Sequence, residues 1–177
     1  MKLASRGLRP EPRGLVRALV RRGSRSDRSP TAAHLRPVAR DPTLCRGCRA
    51  VFTRKTWRRS RRRTLLALRR GWLGLCPACR QQQSHRGLGH LRLEGTYLEG
   101  HAVEVRRRIQ NVAARAQHTQ PERRLLEIRP HGGGWEVLTT SQELAHRLGR
   151  ELQKAFGGTV RYAWSDRDGE LLAVWRR

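Results

Sequence analysis

Cys45-Arg46-Gly47-Cys48 and Cys76-Pro77-Ala78-Cys79 are the two stretches on which the reading of this chain turns. They hold all four of its cysteines, paired at two-residue spacing. Thiolates are soft ligands, and this spacer lets both sulfurs of a pair approach one metal at tetrahedral angles. No continuous apolar core of a secretory signal precedes them, so a reducing compartment, the cytoplasm, is expected, where metal ligation is favoured over disulfides. Four sulfurs close a coordination sphere and leave no position for a reacting water. The site they predict is a structural Zn2+ held by Cys45, Cys48, Cys76 and Cys79. A redox pair or an iron–sulfur cluster is the competing use of four cysteines, and nothing else in the chain points to either. Arg46, Arg49 and Arg80 stand beside the sulfurs in sequence and are expected to lower the thiol pKa and offset the site's negative charge.

Between the pairs, 27 residues separate Cys48 from Cys76, more than the hairpin of a zinc ribbon requires. The excess predicts an arginine-rich loop or short helix over residues 58–70, projecting from the metal site. Arg54, Lys55, Arg58, Arg59, Arg61, Arg62, Arg63, Arg69 and Arg70 are nine cationic side chains within 17 residues, flanked by Trp57 and Trp72. Guanidinium forks match phosphate oxygens, and indole planes stack on unpaired bases. A run of charge is ordinarily a solvated loop. This one has no interleaved acid, so these eleven residues are the predicted nucleic-acid contacts.

The whole chain, 177 residues with a formal charge of +25, shares that bias unevenly. Residues 1–90 hold 24 basic and three acidic side chains, whereas residues 91–177 hold 15 and 11. The first half would repel itself without anionic company; the second has the balance of an ordinary domain. A GC-rich genome could raise the total of 36 arginines, but it would not cluster them. No apolar run approaches the roughly 20 residues of a membrane-spanning helix, so a membrane is not expected.

Residues 1–42 read as a disordered basic arm, punctuated by Pro10, Pro12, Pro30, Pro37 and Pro42 and too poor in apolar surface to order itself. Within it, Leu15, Val16, Leu19 and Val20 fall on one helical face, a helix only when docked. An organelle transit peptide has a similar composition; the solvated tail is the preferred reading.

Residues 43–87 are the zinc-ribbon module, and 88–177 an α+β domain. Leu91, Leu93 and Tyr97 suggest a strand interrupted at Gly95. Val105, Ile109, Val112, Ala113 and Ala116 give a helical period over 101–117. Leu125–Arg129 and Trp135–Thr139 predict a hairpin, with Gly132-Gly133-Gly134 as its turn rather than a phosphate loop. Thr140 and Glu143 read as a capping box for a helix whose face is Leu144, Leu148, Leu152 and Phe156. Gly157-Gly158 stops that helix, and 159–164 with 171–175 close a last hairpin across Asp166–Gly169. The order β-α-β-β-α-β-β predicts a ferredoxin-like split β-α-β domain with one strand added. Trp135, Trp164 and Trp175 fall on its strands, as core residues with one available for stacking. No nucleophile–base constellation emerges from Ser84-His85, Thr139-Thr140-Ser141 or Asp166/Asp168, and His85 and His90 read as surface or hydrogen-bonded residues. No enzyme is expected.

Cys45-Arg46-Gly47-Cys48, a later Trp, Cys76-Pro77-Ala78-Cys79-Arg80, Leu91-Arg92-Leu93-Glu94-Gly95, His101-Ala102-Val103-Glu104 and the run from Thr139 to Gly149 resemble a bacterial family of zinc-ribbon proteins of uncharacterised function. The likeness covers residues 43–177. That family is in turn distantly similar to the archaeal and eukaryotic adaptor that rides on the large ribosomal subunit during export. The adaptor has more zinc-binding pairs, and this chain's loop between the pairs is longer and more basic than the family's. The resemblance implies a zinc-dependent, ribosome- or RNA-associated role. It carries over the four cysteines as ligands and no catalytic residue. The expectation is therefore an RNA-binding protein that acts by occupancy on ribosomal RNA, with ribosomal proteins as further partners. RNA is preferred because no DNA-recognition helix is evident. The alternative is a DNA-associated transcription accessory protein that uses its ribbon as a protein-interaction platform.

Overall fold

A computed structural model describes residues 40–165 and 169–177, leaving aside the side chain of Arg70. The expected arm therefore lies outside the described residues except for 40–42, as does most of the Asp166–Gly169 turn.

The first 45 described residues form a small sheet with two helices. Strands β1 (Thr43–Cys45), β2 (Val51–Thr53), β3 (Thr56–Arg58) and β4 (Trp72–Gly74) lie in the order β3-β2-β1-β4. β1 is antiparallel to β2 and parallel to β4, a pairing made possible by the crossover helix α1 (Arg61–Arg70) between β3 and β4. Only Ala67 of that helix is fully buried, against Leu44 and Val51. The basic stretch between the pairs is thus a helix laid on the sheet, and it does not project from the metal site. α2 (Pro77–Ser84) follows and is ended by His85 in the left-handed conformation (φ 50°).

The second part runs β5 (Gly89–Glu94), α3 (Tyr97–Thr119), β6 (Leu125–His131), β7 (Gly134–Thr139), α4 (Gln142–Phe156), β8 (Thr159–Trp164) and β9 (Leu171–Arg176). Its strands lie in the order β6-β7-β5-β9-β8. β7 separates β5 from β6, which gives the split β-α-β arrangement on that side. On the other side a plain ferredoxin-like order would put β8 directly beside β5. Here β9 is inserted between them, parallel to β5 and antiparallel to β8. The added strand is therefore central. Its sequence, Leu171-Leu172-Ala173-Val174-Trp175, is apolar on both faces, which suits a strand covered on both sides, while half-exposed β8 takes the edge.

α3 and α4 cover one face and enclose Leu91, Val105, Ile109, Leu148, Leu152 and Trp175. α3 starts four residues earlier than its periodicity predicts, at Tyr97, and kinks at His101, whose ring stacks on Tyr97 at 3.9 Å. Tyr97 accordingly belongs to the helix and not to β5, which stops at Gly95. That glycine has φ 109°, and a Cβ on it would lie 2.0 Å from the Arg177 carbonyl oxygen. The cap of α4 is also displaced by one residue. Ser141 accepts the Leu144 N–H, because the Thr140 hydroxyl is already engaged, accepting from the Arg124 N–H and donating to the Glu122 carbonyl.

The opposite face of this sheet carries charge that is internally matched. Glu136 is almost fully buried and accepts from Arg129 Nε and Nη2 at 2.9 and 2.6 Å, with His90 Nδ1 at 3.3 Å. Glu94 pairs with Arg176. No helix among the described residues is long and apolar enough to cross a membrane.

Candidate metal centre and basic surface

The two cysteine pairs reach their common point by different local structures. Cys45 ends β1, and a tight turn carries the chain through Gly47 and Cys48 to Ala50, whose carbonyl accepts the Cys45 N–H at 2.8 Å. A Cβ at Gly47 would come within 2.9 Å of Cys79 Sγ, so the turn must approach the opposing pair without a side chain there. The second pair is not on a matching turn, as a zinc ribbon would have it. Cys76 is the N-cap of α2 and accepts the Cys79 N–H at 3.4 Å, with Pro77 in the first helical position. Pro77 needs no donor there, and the helix N-terminus favours thiolate charge.

All four sulfurs lie within 4.8 Å of one another, with Cys45–Cys79 and Cys48–Cys76 separations of 3.7 Å. A tetrahedral site with zinc–sulfur bonds of about 2.3 Å has sulfur–sulfur edges of about 3.8 Å. The cage therefore fits one metal ion, and its cysteines are free of disulfides. Cys45, Cys76 and Cys79 are buried and Cys48 is half-buried. Among themselves the thiols divide their protons unevenly. A hydrogen bond from Cys76 draws Cys48 down to about 4, while that same bond and burial push Cys76 up. Burial also pushes Cys79 up, against the pull of Arg124. Cys76 and Cys79 thus resist ionisation until a cation compensates them.

The guanidinium that meets the sulfurs comes from the second part, just before β6. Arg124, only 7% exposed, donates through Nη1 to Cys79 Sγ at 3.4 Å and through Nη2 toward Cys76 Sγ at 3.8 Å. Its Nε donates to the Pro121 carbonyl at 2.8 Å. Burial alone would lower its pKa, but the Cys79 hydrogen bond and the charges of Cys48 and Cys79 raise it. Arg46 and Arg49, expected in this role, are exposed, and Arg80 donates to the Leu75 carbonyl instead. Arg46 lies within the turn and Arg49 directly after it, and both side chains are directed outward. Gln81 adds a second tie across the seam, donating to the Thr140 carbonyl at 3.1 Å.

The predicted nucleic-acid residues divide. Arg54 and Lys55 form the exposed β2–β3 turn, Arg58 and Arg59 leave β3 exposed, and Arg61 and Arg62 open α1 exposed. Arg63 is half-buried and donates to Thr53 Oγ1 at 3.2 Å, which holds the start of α1 beside that turn. Arg69 is exposed at the far end of the helix; the side chain of Arg70 lies outside the described ones. Trp72 is 55% exposed, with the Arg40 guanidinium 4.2 Å above its ring. Trp57 is the correction. It is 5% exposed, packed with Phe52 against the cysteines, and has no face free for a base. Its position on β3 points inward, which the neighbouring arginines do not reveal. In the second part Trp175 is fully buried, Trp135 is partly buried and Trp164 is 54% exposed.

All salt bridges found among the described residues lie between residues 90 and 176. From Pro42 to Leu93 the sequence contains no Asp or Glu. Arg61, Arg62 and Arg63 occupy the first turn of α1, where the helix dipole repels cations, and Ser60 makes no side-chain cap bond.

No protein family, curated protein or solved structure matches the chain. The family resemblance rests on its motifs alone.

Proposed function

We propose that this chain is a zinc-nucleated RNA-binding protein of the cytoplasm that associates with ribosomal RNA and acts by occupancy. The observation that carries the reading is the first turn of α1. Three arginines at a helix N-terminus, beside the Arg54–Lys55 turn and without a carboxylate partner, are unfavourable in isolation. A polyanion reverses the sign of every term: it pairs with the guanidinium groups, accepts from free helix N–H groups and relieves their mutual repulsion. Zinc is the metal this reading assigns to Cys45, Cys48, Cys76 and Cys79, since an all-thiolate tetrahedral cage of this size suits it. Ribosomal RNA, with ribosomal proteins nearby, is the polyanion that the motif resemblance implies.

The test is gradient sedimentation of the tagged protein from lysate, with and without ribonuclease and at two salt concentrations. Migration with a ribosomal subunit that is lost on nuclease treatment and stripped by salt is the expected result. Indifference to ribonuclease, with polymerase or promoter DNA in the same fractions, would replace this reading with that of a transcription accessory protein. In binding to a ribosomal RNA fragment, changing Arg58, Arg59, Arg61, Arg62 and Arg63 together to Ala should flatten the log K against log salt slope by up to about four units. An unchanged slope would remove this surface from the interface.

A further inference from the structure

Most exposed cations of the metal module run from Arg54 to Arg62, around β3 and the start of α1, whereas the opposite edge of the same sheet also exposes large apolar side chains. β4 is its outermost strand, and Trp72 and Leu73 on it are 55% and 71% exposed. Leu65, Leu66 and Leu68 of α1 are each more than half exposed. Phosphates would satisfy the arginines around these side chains but would leave the leucines in water, so RNA binding does not account for them.

Among the described residues no strand pairs with the outer edge of β4. On its inner side the Trp72 N–H donates to the Pro42 carbonyl and the Gly74 carbonyl accepts the Arg46 N–H, at 3.0 and 2.9 Å. A parallel ladder uses alternate residues, so the N–H and C=O of Leu73 face away from β1. Register pairs Leu73 with Leu44, on the face that α1 covers, and Trp72 with Thr43, on the other face. A flat bilayer could not receive both side chains, because adjacent strand residues point to opposite faces. A second copy of this chain would bring like charge. So would the segment before Arg40, which carries ten basic residues against two acidic ones.

We propose that β4 is a docking edge for an extended, acidic and apolar segment of a partner protein, which adds a strand along Leu73. Its backbone would pair with the free Leu73 groups. Apolar side chains would cover Leu73 beside α1, and carboxylates would meet Arg40 over Trp72 and Arg69 at the end of α1. The partner supplies what the acid-free stretch lacks, anions and apolar cover on one strand.

The test uses the full zinc-loaded chain and a capped heptapeptide of alternating glutamate and valine, read by amide exchange in NMR and by titration. Binding should slow exchange at the Leu73 N–H. Leu73→Ser, whose side chain is exposed and whose zinc content should be unchanged, should weaken binding at least about tenfold, as should N-methylation of every peptide amide. Several results would overturn the proposal. Protection of Leu73 before any peptide is added would mean that the amino-terminal segment or, if it grows with protein concentration, a second copy already covers the edge. Equal binding of an all-glutamate heptapeptide would reduce the patch to a charge effect. Phosphatidylserine vesicles bound with the same Leu73 dependence would assign it to lipid. Failure of the peptide to bind at millimolar concentration would remove the docking edge altogether.

Discussion

The metal module and the α+β domain solve the same problem with opposite means. The domain covers a five-stranded sheet with two helices, buries Trp175, Ile109 and a run of leucines, and matches its charges internally through Arg129–Glu136, Arg176–Glu94 and Arg108–Glu151. The module has strands of three residues, a helix with one fully buried side chain and no acidic residue after Asp41. A unit of this size rarely gains enough from a core alone and needs a staple. Four cysteines placed to hold one metal ion can supply it. Such a staple would free the module's surface from the charge balance that the domain keeps, and its charged side chains after Asp41 are all cations.

Removing the metal with a chelator should therefore affect the two parts unequally. Structural zinc in small modules contributes on the order of 10 kcal/mol, more than the module can hold by packing. Amides of Val51 and Arg58, which pair across β2 and β3, should lose exchange protection while those of Leu91 and Ile109 keep it. Simultaneous loss in both parts would mean that they form one cooperative unit, and the contrast would fail.

Arg124 is where the two parts meet, and it sharpens the contrast to a single side chain. Arg124→Leu removes the guanidinium from Cys79 Sγ and Cys76 Sγ and the Nε donor from the Pro121 carbonyl. Loss of one partner from such a buried arrangement costs about 3–5 kcal/mol. Zinc should be surrendered to a competing chelator at lower concentration than in the parent chain, and Arg124→Lys should recover only part of the loss, since it keeps the charge but not the fork. Unchanged zinc competition in both variants would reduce Arg124 to a packing residue of the domain.

That residue also marks how far the sequence is legible. The cysteine spacing locates the metal cage, and periodicity locates both long helices and the hairpins, because these are local patterns. Arg124 is one of 36 arginines, and no local rule distinguishes it, buried, from the half-buried Arg123 beside it. The insertion of β9 between β5 and β8 depends on pairing between residues some 80 positions apart, as in Leu91 with Ala173. Its apolar sequence marks a central strand but not its neighbour. The Thr140 cap failed for a related reason: Thr140 and Ser141 are equally good caps in sequence, and the Arg124 N–H takes the first. Long-range claims on a side chain override its local preference.

On the domain's side, Glu136 tests whether charge matching contributes to stability. The His90 hydrogen bond and then Arg129 hold its carboxyl well below the usual range, from 4.5 to about 2, against the opposing effect of burial. A depressed folded-state pKa stabilises above the unfolded value and loses that contribution as pH falls through the folded one. The contribution, on the order of 3 kcal/mol, should be intact at neutral pH and decline from about pH 4.5 toward about 2. Glu136→Gln should lower neutral-pH stability by a comparable amount and remove this part of the acid dependence, as followed by urea unfolding against pH. An unaltered acid limb would show that the domain's ion pairs are as dispensable as the module's absence of them.

The smallest expected stability effect is at Trp72, and its smallness is the point. Trp57 and Trp72 flank the same basic run, yet Trp57 lies inside against the cysteines and Trp72 stands 55% exposed beneath Arg40. An exposed ring on a three-residue edge strand adds little to folding, so Trp72→Ala should change stability by less than about 0.5 kcal/mol. If the module's surface is kept for binding, the same change should weaken association with a single-stranded RNA fragment by about 1–3 kcal/mol, the range for one base–aromatic contact. Loss of stability with RNA affinity unchanged would make Trp72 a structural residue like Trp57. The division between a metal-held interior and a binding surface would then stop short of β4.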